Sequence, residues 1–182
     1  MAEVVSERGY EAASVPRVIA LARVSSNTFY RFFADKTDCF LALCEREGDA
    51  LFDALEEPEE QDIPGALAAL HRGIRKYLTW WIERPAMARA YFVELPAAGS
   101  RAVEERERQY ERFAAIHRTI AQRARAVYPA APPLRDVEVT ASVILTIELV
   151  SREIRARRLD RLLELEDDLR HLILRLLVGV TA

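Results

Sequence analysis

Val24-Ser25-Ser26-Asn27-Thr28-Phe29-Tyr30-Arg31-Phe32-Phe33 is the stretch on which the reading of this chain turns. It has the makings of a brief helix with two unlike faces. Ser25 stands where a hydroxyl can accept a bond from an orphan backbone N–H one turn in. Val24, Phe29, Phe32 and Phe33 supply apolar anchors, and Ser26, Asn27, Thr28, Tyr30 and Arg31 are left to point outward. A helix this short does not persist alone in water, so other elements must hold it. The outward set matches what a duplex offers. Ser26 and Thr28 suit base edges, Asn27 suits adenine, Arg31 suits guanine or phosphate, and Tyr30 suits the backbone. The phenylalanines are expected in the core, with a thymine methyl the one contact open to Phe32.

The flanks support a recognition helix. Ser14 is placed to cap a helix through Val15–Ala22, with Pro16 in the first turn, where a missing N–H costs nothing. Arg23-Val24-Ser25 then breaks the run over the length of a helix-turn-helix turn. Ala34-Asp35-Lys36-Thr37 opens a longer helix, and Lys36 is placed to meet a phosphate, as is the helix N-terminus at Ser14. Gly9-Tyr10, Ser14-Val15, Ala22-x-Val24-Ser25, Thr28-Phe29-Tyr30-x-x-Phe33 and Asp35-Lys36, taken together, resemble the N-terminal domain of TetR-family transcriptional regulators. The likeness holds its spacing across three helices; beyond them it is one of architecture. Two departures stand out. Arg23 replaces the glycine usual in the turn, so either the backbone is accommodated differently or the arginine faces phosphate. The chain also starts inside the family's first helix, which implies that Met1 is an internal residue. The resemblance implies a dimer on a palindromic operator, with ligand binding coupled to DNA through the fourth helix.

Length and composition agree with such a protein. With 182 residues, 51% of them hydrophobic, the chain can bury a substantial core. It has neither an uncharged apolar run of about 18 residues nor a cleavable leader, so no membrane association is expected and the cytoplasm is the expected compartment. Cys39 and Cys44 share one expected helix without facing each other, which argues against a disulfide and excludes a cysteine zinc site. The net charge of −3 is unevenly spread. Arg8, Arg17, Arg23, Arg31 and Lys36 gather in the first part of the chain, while acidic runs follow it, and a local basic face is enough for phosphate.

The fold class expected is all-α, because apolar residues recur at helical spacing and strand alternation is missing. Helices are expected over 1–8, 14–22, 26–33 and 36–55. The acidic, proline-bearing segment Glu56–Asp62 is the one clear linker, dividing a DNA-binding domain (1–56) from a ligand-binding and dimerisation domain (57–182). In the second domain helices are expected over 64–83, with the stripe Leu67, Leu70, Ile74, Tyr77, Leu78 and Trp81, then over a short piece up to Pro96. Further helices follow over 100–128, 134–157 and 162–178. The helix over 100–128 is read with Val103, Tyr110, Phe113, His117, Ile120 and Ala124 on its buried side and ion-paired Glu and Arg outside. Ile144, Leu169, Leu172, Ile173 and Leu176 give the last two helices wide apolar faces, suited either to the core or to a two-fold interface. The interface is preferred, because a half-site reader needs a partner one helical turn away.

A small-molecule pocket is expected among Tyr77, Trp80, Trp81, Tyr91, Phe92, Tyr110 and Phe113, with His117 and Glu148 as embedded polar groups. A buried carboxylate needs a partner. Glu148 therefore either pairs in the core with His117 or an arginine such as Arg89, or orients a ligand; both stay open. Catalytic and metal signals are weak. His71, His117 and His171 lack carboxylates at ligand spacing, no phosphate loop occurs, and no serine sits in a nucleophile elbow. No cofactor is expected. The reading is a dimeric, ligand-responsive regulator of transcription, a repressor released by a small, mainly apolar effector. A ligand-binding or scaffold protein with an inactive DNA-binding head, or a small helical enzyme, are the alternatives.

Overall fold

The structure, a computed structural model, describes residues 1–55, 63–128 and 131–179, apart from the side chains of 63–67 and 127. The expected linker and domain boundary at 56–62 lie outside the described residues, as does the side chain of Leu67. All regular structure among the described residues is helical. The elements are α1 (Ala2–Arg8), α2 (Val15–Ala22), α3 (Ser26–Phe32), α4 (Lys36–Leu55), α5 (Ile63–Ile82), α6 (Pro85–Arg89), α7 (Ser100–Val127), α8 (Asp136–Arg155) and α9 (Glu166–Val178). Most bounds fall within two residues of those expected. The short piece after α5 is more varied than one helix. It passes from α6 into a wide turn at Ala90–Glu94 and a tight one at Leu95–Ala98, ending on Gly99 at φ 87.

The first three helices close over Val4, Val5, Tyr10, Val18, Phe29 and Phe40, all buried, with Tyr10 stacked on Phe40 at 5.5 Å. Helix α1 docks on the body through Arg89, whose Nε donates to the Ser6 carbonyl at 2.8 Å and whose guanidinium pairs with Glu94 at 3.2 Å. Glu94 in turn accepts the Tyr10 N–H at 2.9 Å. Gly9 makes that approach possible. Its φ of 82 suits glycine, and a Cβ there would crowd the Glu94 carboxylate at 3.3 Å.

Helix α4 begins inside this small domain and runs on into the body. Asp35 accepts the Asp38 N–H at 2.8 Å, capping it. Asp38 meets Arg101, Glu45 meets Arg108 and Asp49 meets Arg112, each pair 63 residues apart. A constant offset means that α4 and α7 advance in the same direction, in register, joined by a ladder of charges. The Arg101 guanidinium and the Ala34 N–H hold the Asp38 carboxyl below its usual range.

The inner face of α7 differs from the expected stripe. Val103 is exposed, whereas Glu105 and Gln109 are buried. Gln109 donates to Glu105 at 2.7 Å, and Arg108 also pairs with that carboxylate. The second buried carboxylate is Glu166 at the start of α9, held by His71 at 2.7 Å and by Arg75 at 2.7 Å. Its charge also suits the positive end of the helix dipole. Glu148 is not among the buried carboxylates. Its side chain is 53% exposed and pairs with Arg155 at 2.6 Å, because its place on α8 faces out.

Candidate functional site

Helix α3 stands on a conventional cap. Ser25 Oγ accepts the Thr28 N–H at 3.0 Å and lies 2.9 Å from the Thr28 hydroxyl. Both hydroxyls are thus engaged in starting the helix, and Thr28 is half-buried. Phe29 alone of the helix is fully buried, which contributes roughly 1.5–3 kcal/mol to holding it. Phe33 is half-buried against the core. Val24 and Phe32 depart from the expected anchoring role, since both are exposed, Phe32 at 67%. The outward surface is therefore Ser26, Asn27, Tyr30, Arg31 and Phe32. Tyr30 rests edge-on against Phe29 at 5.3 Å, and the Arg31 guanidinium lies 5.9 Å from the Phe32 ring centroid.

Three neighbouring residues take positions that refine the expectation. Ser14 occupies the N-cap of α2, but its hydroxyl accepts no capping bond. Arg23 adopts the left-handed conformation at φ 55 and ψ 41, the glycine conformation, with its side chain exposed. Lys36 is turned inward. Its Nζ donates to the carbonyls of Tyr10, Glu11 and Ala13 at 2.9, 3.1 and 3.2 Å and sits 4.5 Å from the Tyr10 ring centroid. The expected phosphate contact is corrected accordingly, because three carbonyls match the three hydrogens of an ammonium. Lys36 fastens the loop between α1 and α2.

The body holds a cavity of about 330 Å³ between α5, α7, α8 and α9. Its walls include Leu70, Ile74, Tyr77, Phe113, Ile116 and Ile120, with Leu55 from the end of α4 and Thr119 and Arg123 along α7. Such an apolar, concave site with a few polar groups is the usual form of a ligand pocket. His117, 2% exposed, is a buried polar group at its wall. Ser142 Oγ donates to the Val139 carbonyl at 2.8 Å and lies 2.6 Å from His117 Nδ1. The serine hydrogen being spent, Nδ1 must carry the proton and Nε2 keeps its lone pair. Burial lowers the His117 pKa to about 4, so the ring is neutral near pH 7.

A smaller cavity of about 30 Å³ adjoins it, lined by Cys44, Gly48, Leu51 and Phe52 of α4 together with Tyr77, Trp81, Tyr91, Tyr110 and Phe113. The expected aromatic set is thus divided. Tyr77 and Phe113 border both spaces, while Trp81, Tyr91 and Tyr110 border only the smaller. Phe92 packs edge-on against Trp81 at 4.8 Å in the core. Trp80 lies at the edge, with the Arg84 guanidinium 3.7 Å over its ring. Glu148 borders neither space. Thr146 and Gly73 belong to the main cavity without having been expected. Ser142 and Thr146 were legible as hydroxyls inside the apolar stripe of α8.

The expected interface residues also divide. Leu169 and Ile173 are buried and line the main cavity, so they are not free to meet a partner. Leu172 and Leu176 are half-buried, and Ile144 is 48% exposed; Val137, Leu145 and Leu163 are exposed as well.

Residues 2–43 match the family described as bacterial regulatory proteins, tetR family. The fold is similar to that of the transcriptional regulator FadR from Bacillus subtilis, solved in complex with stearoyl-CoA. The TM-score is 0.79 at 18% identity, over 98% of this chain and 95% of that one. The fatty acid degradation regulator FadR from Bacillus halodurans aligns at a TM-score of 0.77 and 16% identity, over 95% and 93%. A tetR-family bacterial regulatory protein from Rhodococcus RHA1 aligns at 0.68 and 20%, over 100% and 93%. No curated protein matches the chain by sequence.

Proposed function

We propose that this chain, whose N-terminal domain belongs to the tetR family of bacterial regulatory proteins, is a ligand-responsive regulator of transcription. It acts as a cytoplasmic dimeric repressor on a palindromic operator and has no catalytic role. One observation carries the reading: α4 starts within the helix-turn-helix domain and ends with Leu55 on the wall of the apolar cavity. A single rigid element thus touches both ends of the switch. Ser26, Asn27 and Arg31 reach base edges in the major groove, Phe32 meets a thymine methyl, and Tyr30 and Arg23 meet the backbone. Ser14 and Ser25 shape the helix ends that approach phosphate. Val137, Ile144 and Leu145 on the outer side of α8 pair with a second copy, joined by Leu172 and Leu176 of α9.

The effector is small and mainly apolar, with a polar end. The stearoyl-CoA seen with the Bacillus subtilis relative favours an amphiphile of that kind. Bound effector shifts the population toward a state in which α4 has swung and the two recognition helices no longer match one turn of DNA. The effector acts only to the extent that it prefers that state. Binding measured against single-base operator variants tests the assigned roles. Tyr30→Ala is expected to weaken all sequences and flatten the salt dependence, while Asn27→Ala relaxes discrimination at particular bases. Equal losses on every sequence from both variants would contradict the reading.

A further inference from the structure

Tyr77 and Phe113 stand between the two spaces in the body as a wall of paired rings, 5.1 Å apart at 33°. The spaces follow one another in line. Along α5 they run from Ala69 past Tyr77 to Trp81, and along α7 in the opposite sense from Arg123 past Phe113 to Gln109. At 1.5 Å per residue the α5 run measures about 18 Å, and its part on the near side of Tyr77 about 12 Å. An extended chain advances about 1.2 Å per bond, so these lengths take about 15 and about 10 bonds.

Resting on the reading of the cavity as the effector site, we propose that the effector carries an unbranched alkyl chain of about 15 bonds, whose tip displaces the Tyr77–Phe113 wall and enters the smaller chamber against α4. The shape supports a linear tail. Beyond the rings there is room now for about one water, so a fused-ring ligand would stay in the main cavity. The chemistry agrees. Cys44 is buried and its thiol pushed up by that burial, so it stays neutral and forms part of an apolar wall. Thr119 and the exposed Arg123 lie at the other end, where an anionic head belongs.

At the smaller chamber α4 and α7 already lie close together. A Cβ added at Gly48 would already fall on the Gln109 amide. A chain tip entering beside Gly48 and Leu51 therefore parts α4 from α7, whereas a shorter chain binds and leaves them together. Chain length, on this account, decides whether a bound amphiphile releases DNA.

The test uses the full chain with saturated fatty acids from octanoate to hexadecanoate, and with the same chains as coenzyme A thioesters. Affinity and tryptophan fluorescence are read for each, together with release of bound DNA. Affinity is expected to rise roughly fourfold per added methylene through hexadecanoate. A fluorescence change from Trp81 and DNA release should appear only beyond about decanoate. Cys44→Met, which fills the smaller chamber, should reduce hexadecanoate affinity at least tenfold and leave decanoate unchanged. Ile147→Phe, at a half-buried wall position of the same chamber, serves if the first variant does not fold. A thioester preference with the same length threshold supports the proposal and assigns the head. Affinity that stops rising at decanoate, or fillers without effect on hexadecanoate, would overturn the proposal while leaving the cavity an effector site. No binding at any length in either series would overturn both.

Discussion

Gly48→Ala is expected to lower stability at a position where a helix glycine would ordinarily gain from the change. Alanine is better than glycine by about 1 kcal/mol in a helix interior. Gly48 lies in the middle of α4, half-buried, and the added Cβ falls on the side-chain amide of Gln109. That amide is buried and donates to Glu105 at 2.7 Å, so it cannot move aside freely. Displacing it forfeits a hydrogen bond to a charged acceptor, worth about 1.5–3 kcal/mol, and leaves a buried carboxylate to Arg108. The difference is a net loss of about 0.5–2 kcal/mol. Urea unfolding at fixed protomer concentration measures it, since association also contributes to apparent stability. Gln109→Ala made in the Gly48→Ala background removes the clash, so the two changes should couple by about 1 kcal/mol or more in a double-mutant cycle. A gain of about 1 kcal/mol from Gly48→Ala alone would refute the reasoning, as would additivity of the two changes.

Arg23→Gly should raise the urea midpoint, because the left-handed conformation at φ 55 costs a side-chain-bearing residue about 1–2 kcal/mol, part of which glycine returns as entropy. The same variant should bind DNA more weakly, and a lowered midpoint would contradict the assignment. His117 gives the chain a pH dependence with a definite sign. Its folded pKa of about 4 lies below the ordinary 6.5, so the unfolded chain binds the extra proton first. Stability should be full above about pH 6.5 and fall by on the order of 3 kcal/mol as pH drops toward 4. His117→Gln should flatten that slope, and an unchanged slope would be inconsistent with a neutral buried ring. Ile144→Glu, on the exposed side of α8, should yield monomers by sedimentation, while persistence of a dimer would place the interface elsewhere.

Periodicity and punctuation carried the helices. Gly9 at the end of α1, Pro16 in the first turn of α2 and Ser25 at the cap of α3 each acts locally, so each was legible from its neighbours alone. What depends on contacts between distant segments was harder. Lys36 reads as a free cation until the carbonyls of Tyr10, Glu11 and Ala13 are brought to it. Glu148 looked buried because Ile147 and Leu149 flank it. Neighbours in sequence point around a helix, however, and the carboxylates actually buried are Glu105 and Glu166, among charged residues that suggested a wet face. Leu169 and Ile173 belong to an apolar stripe wide enough for two uses, and only packing shows that their part faces the cavity. Part of the aromatic cluster lies where the two cavities meet. The wall that Tyr77 and Phe113 form within it arises from the meeting of α5 with α7 and has no signature in either helix alone.

The most direct measurement selects genomic fragments bound by the full chain and maps the protected bases on the tightest of them. Two protected half-sites about one helical turn apart, 10–10.5 bp centre to centre, are predicted, with protection lost in Arg31→Ala and altered at particular bases in Asn27→Ala. Binding without sequence preference, or protection unchanged when Asn27 and Arg31 are both removed, would contradict the assignment of α3 as the DNA-reading face.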